Sequence, residues 1–403
     1  MEREPAQFGP NRWLIDEMYL QYLESPDSVS EPWREFFDDY HPDGKRDTPA
    51  QEKPEAPEAA EPAETASKKA QGVPSRAAAG ASPLRGADAT LARYMEQSLT
   101  VPTATSVRTV PAKLLEVNRN ILNRHLARSR GAKVSFTHLI GWALVKALKA
   151  MPGMRVVYQA SDGKAGAVRH EHVNLGLAVD VKRDDGSRTL LVPNIKEADA
   201  MDFAGFFSTY EDLIKRVGAN KLTPDDFSGT VVSLTNPGMI GTVQSVPRLM
   251  AGQAAIIGVG AISYPAEYEG ADPRVLAEHG VGKVVTLTST YDHRVIQGAE
   301  SGEFLRRVHD LLLGNDDFYD DIFRSMQVPY VPVRWLQDRN PSQDSVEAEA
   351  KQARVLQLIN AYRVRGHLIA PLDPLQAEPP SIHPELDPAT YGFTIWDLDR
   401  DFV

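Results

Sequence analysis

Between residues 100 and 335 the apolar positions recur with two periods. Phe136, Leu139, Ile140, Ala143, Leu144, Ala147 and Leu148 fall at helical spacing and stop at Pro152-Gly153. Val173, Leu175, Leu177, Val179 and Val181 alternate, the period of a half-buried strand. Apolar runs at 188–195, 229–235, 254–259 and 284–291 predict further strands. Phe304, Leu305, Val308, Leu311 and Leu312 predict another amphipathic helix, with Ser301 as its cap. The strands come in runs after an early helix rather than in strict strand–helix alternation. The pattern therefore predicts an α/β domain with a mixed sheet and helices packed on it.

The flanks read differently. In residues 1–40, Leu14, Met18 and Tyr22 recur at helical spacing behind Asn11 as a cap. Ser30 and Pro32 offer a second helix start ahead of Trp33, Phe36 and Phe37. A segment this short makes little core alone. It is either a docking element for a partner subunit or a terminal hairpin packed on its own protein. Of residues 48–82, 21 of 35 are Ala, Pro or Glu, and Val73 is the only large aliphatic. That leaves too little apolar surface to offset chain entropy, so a disordered linker is expected over 41–99. A second short linker is expected at 336–346. Helical spacing returns at Ala350, Val355, Leu358, Ile359 and Tyr362 before Pro-rich turns. The stretch 336–403 thus reads as a linker and the truncated start of another domain, with the native polypeptide expected to continue beyond Val403.

Composition narrows the function classes. At roughly 150 residues per domain, 403 residues suit two or three domains, and a 42% apolar content supports a buried core. The net charge of −11 argues against a nucleic-acid partner, which would need clustered cations. The absence of cysteine removes disulfides, thiolate metal sites and a cysteine nucleophile, and fits a cytoplasmic location. The opening MEREPAQFGPNRW lacks the apolar core of a secretory signal. No stretch of about 18 apolar residues exists, so no membrane span is expected.

Several motifs carry no chemistry. Gly258-Val259-Gly260 lacks a third glycine and a following helix start, and Gly282-Lys283 lacks the rest of a phosphate-binding loop. His170-Glu171-His172 has no third ligand nearby, so no metal is expected. Arg119, Arg124, Arg128 and Arg130 read as a solvated helix face. By contrast, Asp292-His293-Arg294-Val295-Ile296-Gln297-Gly298 follows an apolar strand and precedes a helix, where a histidine can project into a cleft.

A second and third motif precede it: Ser233-Leu234-Thr235-Asn236-Pro237-Gly238, a strand ending in a turn, and Gln253-Ala254-Ala255-Ile256-Ile257-Gly258. In this order, over residues 100–335, the three resemble the catalytic domain of the dihydrolipoamide acyltransferases, the cores of 2-oxo-acid dehydrogenase complexes. The resemblance implies a two-layer, chloramphenicol-acetyltransferase-like fold and a homotrimer with its active site between subunits. It implies that His293 is the general base and Thr235 the oxyanion donor, with Asn236, Asp292, Arg294 and Gln297 supporting them. The family carries Asp where this chain has Gln297, so a charge is lost there. The flanks FGPNRWLIDEMYLQYLESPDSVSEPWREFF and LINAYRVRGHLIAPLDPL resemble 2-oxoglutarate dehydrogenase decarboxylase chains. That order resembles fused actinobacterial enzymes in which a succinyltransferase domain precedes a thiamine-diphosphate decarboxylase. Coenzyme A is then expected as a substrate. Lipoamide is expected in trans, because the chain shows no Asp-Lys-Ala attachment motif. Thiamine diphosphate and magnesium are expected only in a C-terminal part that this chain lacks. A lipoyl-bearing acyltransferase and dihydrolipoamide dehydrogenase are the expected partners.

The implied reaction moves a succinyl group between two thiols, as part of the 2-oxoglutarate dehydrogenase reaction of the tricarboxylic acid cycle. A thiol of pKa ~8.5 is only about 3% thiolate at pH 7. An imidazole of pKa ~6.5 can take its proton during attack. The ~2-unit mismatch costs roughly 2.7 kcal/mol, which burial and positioning must offset. One hydroxyl aimed at the oxyanion is worth about 10²–10³ in rate. Two alternatives stay open: a non-catalytic trimerising scaffold that tethers the decarboxylase, and transfer of another acyl group.

Overall fold

The strand with the lowest share of apolar residues has the longest ladder. Thr103–Pro111 (β1) pairs antiparallel with Val284–Asp292 (β10) from Thr103↔Asp292 to Pro111↔Val284. The computed structural model describes residues 8–9, 11–40, 87–129, 131–161, 164–182, 188–338, 345–369 and 383–402. The sheet takes in Leu175–Leu177 (β4), Asn194–Ile195 (β7), Val232–Thr235 (β8) and Ala255–Val259 (β9), in the order β1-β10-β9-β8-β4-β7. β8 is parallel to β9 and to β4, while the other pairings are antiparallel. This is the mixed sheet that the apolar pattern predicts.

One face of the sheet carries the helices Lys113–Ser129 (α4), Phe136–Ala150 (α5), Phe203–Gly218 (α6) and Gly298–Leu312 (α9). Alternation sets which side chains meet them. Val285, Leu287, Ser289 and Tyr291 point to the helices, and Ser289 accepts a hydrogen bond from Ser301 on α9 at 3.0 Å. α9 buries Phe304, Leu305, Val308, Leu311 and Leu312, each worth at most about 1.5–3 kcal/mol of apolar burial. The opposite face carries Thr103, Thr105, Val107 and Thr109 on β1. Beside them stand Thr286, Thr288 and Thr290 on β10, because register partners share a face. Thr105 and Thr290 are hydrogen bonded at 2.9 Å. Here the segment 237–250 replaces a helix layer and leaves Met239, Ile240, Val243 and Val246 60–82% exposed.

Some expectations need correction. The alternating run 173–181 is two strands: β4 lies in the main sheet, whereas Val179–Lys182 (β5) pairs in a separate hairpin with Arg188–Leu191 (β6). The run 188–195 splits likewise into β6 and β7. Ser301 does not cap α9; Gln297 holds the N-cap position, and Ser301 is buried in the first turn against Ser289. The linker does not reach residue 99, because Ala87–Ser98 (α3) is a helix. It packs on Arg12–Glu24 (α1), where Tyr94 bonds to Asp16. Residues 41–86 lie outside the described residues.

Both flanks pack on this domain. Asn11 heads α1, but its amide donates to Val192 O at 2.8 Å and Phe227 O at 3.2 Å, and its oxygen accepts from Val192 N. Glu31–Asp38 (α2) sends Trp33 Nε1 to Leu222 O at 3.0 Å. Of the two readings of the N-terminal segment, packing on its own protein is observed. At the other terminus Ser345–Arg365 (α11) holds the segment 383–402 through a buried Lys351–Asp397 ion pair at 2.7 Å. Arg400 bonds to Asp338 at 2.6 Å, and Trp396 Nε1 to Leu336 O at 2.9 Å.

Candidate active site

β10 delivers the histidine. His293 N–H extends the ladder by donating to Pro102 O at 2.9 Å, after which the chain turns, with Val295 and Ile296 N–H donating to Asp292 O. Asp292 is 2% exposed and would carry a costly buried charge alone. Arg294 compensates, its Nε and Nη2 donating to the carboxylate at 2.9 and 2.6 Å. Those hydrogen bonds raise the guanidinium pKa further and keep it charged. The guanidinium carbon also lies 3.7 Å from the ring centroid of Tyr158, on the strand Val156–Ser161 (β2).

His293 itself is exposed. Its Nδ1 is 3.1 Å from Ile296 O. A carbonyl oxygen can only accept, so Nδ1 is the donor in this contact, and in the neutral ring that leaves the lone pair on Nε2. Tyr291 meets the imidazole edge-on, with ring centroids 5.6 Å apart. Gln297 heads α9 in an extended conformation, and its side chain makes no cap hydrogen bond.

Thr235 is the last residue of β8 and is half-buried. Its register partner Gly258 faces Thr288, so its side chain lies on the helix-free face. Asn236 follows with its Nδ2 donating to Thr137 Oγ1 of α5 at 2.8 Å. Gly238 is required because a Cβ there would collide with the Gly260 carbonyl.

The register also shows what one chain does not bring together. Thr235 is level with Thr288, whereas His293 follows Asp292 at the far end of β10. Five residues of strand span ~16 Å and two strand spacings ~10 Å, so the two positions are ~19 Å apart in one copy. Asp292, Arg294 and Gln297 gather around His293; Asn236 stays with Thr235.

The remaining sequence candidates have other roles. His172 faces Asp199 at 3.5 Å, and Asp199 accepts from Val173 N at 2.7 Å, fixing the entry to β4. Among the described residues no cluster of three or more His, Asp or Glu side chains is placed to hold a metal. Among them, too, no helix is long and apolar enough to cross a membrane. The arginine run is not a uniformly solvated face. Arg124 and Arg128 are exposed, but Arg119 donates to Val134 O at 2.9 Å and lies 4.2 Å from the Phe136 ring centroid. Thr137 and Tyr158, which brace the two motifs, carry no sequence signal. Thr137 sits in the first turn of a helix, and Tyr158 belongs to a hairpin with Lys164–Arg169 (β3), a strand exposed along its length.

An imidazole acceptor with no serine, threonine or lysine bonded to it suits a transferase whose substrates supply both nucleophile and leaving group. Residues 77–317 match the 2-oxoacid dehydrogenases acyltransferase (catalytic domain) family, and residues 4–44 match the 2-oxoglutarate dehydrogenase N-terminus. The first match exceeds half of the chain, which therefore belongs to the 2-oxoacid dehydrogenase acyltransferase family. The chain is similar to the multifunctional 2-oxoglutarate metabolism enzyme of Mycobacterium sp. (strain JLS), 48% identical over 463 residues, across 100% of this chain and 36% of that protein. The enzyme of that name from Mycolicibacterium vanbaalenii is 48% identical over 440 residues, across 99% and 35%. This chain thus spans about a third of these relatives. A probable dihydrolipoamide acetyltransferase from Listeria monocytogenes shares 24% identity at a TM-score of 0.49, over 59% of this chain and 95% of that one. A chloramphenicol acetyltransferase matches at 14% and 0.32, over 55% and 94%.

Proposed function

We propose that this chain transfers a succinyl group between dihydrolipoamide and coenzyme A, within the 2-oxoglutarate dehydrogenase reaction, at a site formed by two copies. The observation that carries the reading is the tie from Nδ1 of His293 to Ile296 O, which leaves Nε2 as the proton acceptor. Nε2 takes the proton of the attacking thiol and returns it to the departing thiolate. The Thr235 hydroxyl of a second copy donates to the tetrahedral oxyanion. Asp292 and Arg294 hold the turn that orients the imidazole.

The ~19 Å separation within one copy supports a shared site, as do the exposed Met239, Ile240, Val243 and Val246 on the helix-free face. We assign these residues to the contact that closes a homotrimer. The succinyl assignment rests on the decarboxylase-like N-terminal match and on the similarity to the 2-oxoglutarate metabolism enzymes. A lipoyl-bearing acyltransferase supplies the succinyl-dihydrolipoamide; transfer to coenzyme A leaves dihydrolipoamide, which dihydrolipoamide dehydrogenase reoxidises.

Purified chain with succinyl-dihydrolipoamide and coenzyme A is expected to yield succinyl-CoA, faster than an acetyl donor yields acetyl-CoA, and His293→Ala to abolish turnover. A silent wild type favours the scaffold reading. An unchanged His293→Ala rate removes the histidine from the mechanism, and a faster acetyl reaction reassigns the acyl group.

A further inference from the structure

We infer that Thr137 is a positioning residue for this same acyl transfer, acting through Asn236 on the oxyanion donor Thr235; the inference rests on the function proposed above. Thr137 lies in the first turn of α5, which is fixed by contacts of its own rather than by the turn after β8. Ser135 caps α5 by accepting from His138 N, and the His138 ring accepts from Ser135 N at 2.9 Å. Ten residues of α5 are buried. Its N-terminus is therefore a rigid platform, and Thr137 Oγ1 a fixed acceptor for Asn236 Nδ2 at 2.8 Å.

On its other side the turn is gripped differently. Gly238 is pressed against the Gly260 carbonyl, and Ala261 N donates to Thr242 O at 2.8 Å. Losing the Thr137 bond leaves this grip and the β8 ladder intact. What is freed is the Thr235-Asn236 junction, where the backbone departs from strand geometry, with φ −124° and ψ 73° at Asn236. A hydroxyl that must meet a transient oxyanion is sensitive to such freedom, whereas substrate affinity drawn from elsewhere is not.

The test is steady-state succinyl transfer by the full chain. Thr137→Val, nearly isosteric, is expected to lower kcat ~10-fold with KM within ~2-fold and an unshifted pH profile. Thr137→Ser, which keeps the acceptor, should recover to within ~3-fold of wild type. Asn236→Ala should match Thr137→Val, and the double variant should lose no more than either single, because both break one link. Gel filtration and thermal unfolding confirm that each variant folds and assembles, and Asn236→Ala keeps the question open to test if Thr137→Val does not. Wild-type kcat in either single variant overturns the inference, as does a multiplicative loss in the double. Absent turnover in the wild type removes the function itself, and the inference with it.

Discussion

If the site is shared between copies, two dead variants should rescue each other. His293→Ala removes the base, a loss of about 10²–10⁴; Thr235→Ala removes the oxyanion donor, a loss of about 10²–10³. The register puts the two positions ~19 Å apart in one copy, well beyond a tetrahedral intermediate that both must touch. Suppose both variants are co-expressed equally under one common tag, so that rings of every composition are purified together. In a closed ring each site takes His293 from one copy and Thr235 from the next. Half the copies keep His293, and half of their neighbours keep Thr235, so about one quarter of sites carry both. That fraction holds for any ring size. Succinyl-CoA formation by the mixture should reach about 25% of wild type, against parents at 1% or below. Variants purified separately and mixed without subunit exchange should stay inactive. A co-expressed sample no more active than its parents would refute the shared site and, because the two groups are too far apart in one copy to act together, the joint role of His293 and Thr235 with it.

Three further outcomes follow from particular contacts. Burial, and secondarily the Arg119 charge, push the His138 imidazole down to about 4; Glu211 lies 3.2 Å from Nε2, but without hydrogen-bond geometry. The unfolded chain therefore takes up a proton near pH 6.5 and the folded chain does not until about 4, so about 3 kcal/mol of stability is lost as pH falls across that window. Denaturant unfolding of wild type and His138→Asn at pH 7 and 4.5 should show the variant with the shallower slope. Gln297→Asp places a good cap on α9 where the present side chain makes none; it should add about 0.5–1 kcal/mol in thermal unfolding and change kcat less than ~3-fold, while a large gain in kcat would show that the missing charge limits the reaction. Burial alone would raise the Asp397 pKa, but hydrogen bonds from Lys351 and Thr394 outweigh it and hold the carboxyl below its usual 3.8. The stability it contributes is present above that value and lost below it, and Lys351→Met should raise hydrogen exchange across 383–402 at neutral pH by about 1–3 kcal/mol of lost protection.

What the sequence made legible was whatever has a strong apolar period or a rare polar constellation. α5, α9 and β10 are amphipathic or continuously apolar, and the Asp292-His293-Arg294 turn stands where an apolar strand stops. β1 was illegible because neither of its faces is continuously apolar. Its threonines face the helix-free side, while Ala104, Ser106 and Arg108 meet the helices, and Arg108 bonds to His309 of α9 at 3.2 Å. Its place is set by a partner strand far along the chain, which no local period reports. The split of 173–181 was hidden for a related reason. Apolar alternation continues through Ala178, but its N–H donates to Leu234 O at the end of β8, and beyond it the chain leaves the sheet to pair with β6. The candidate site was half legible: the Asp292-His293-Arg294 turn marks His293 and the resemblance points to Thr235, but only the register reveals that they lie toward opposite ends of the sheet.

That opposition also orders the flanks. The N-terminal segment packs where β8 and β9 begin: Gly9 approaches Gln253 and the Thr230 carbonyl, and Asp292 N donates to Ala254 O at that same end. The C-terminal segment packs at the other end, where Lys113 bonds to Asp399 and Arg400 reaches the carbonyls of Ala277 and Glu278, beside the start of β10. One flank therefore braces the end that carries His293, and the other the end that carries Thr235. In a ring whose sites join the His293 end of one copy to the Thr235 end of the next, each shared site is bordered by the N-terminal flank of one copy and the C-terminal flank of its neighbour. Both segments can then occupy the rims without crossing the helix-free face, which stays open for the contact between copies.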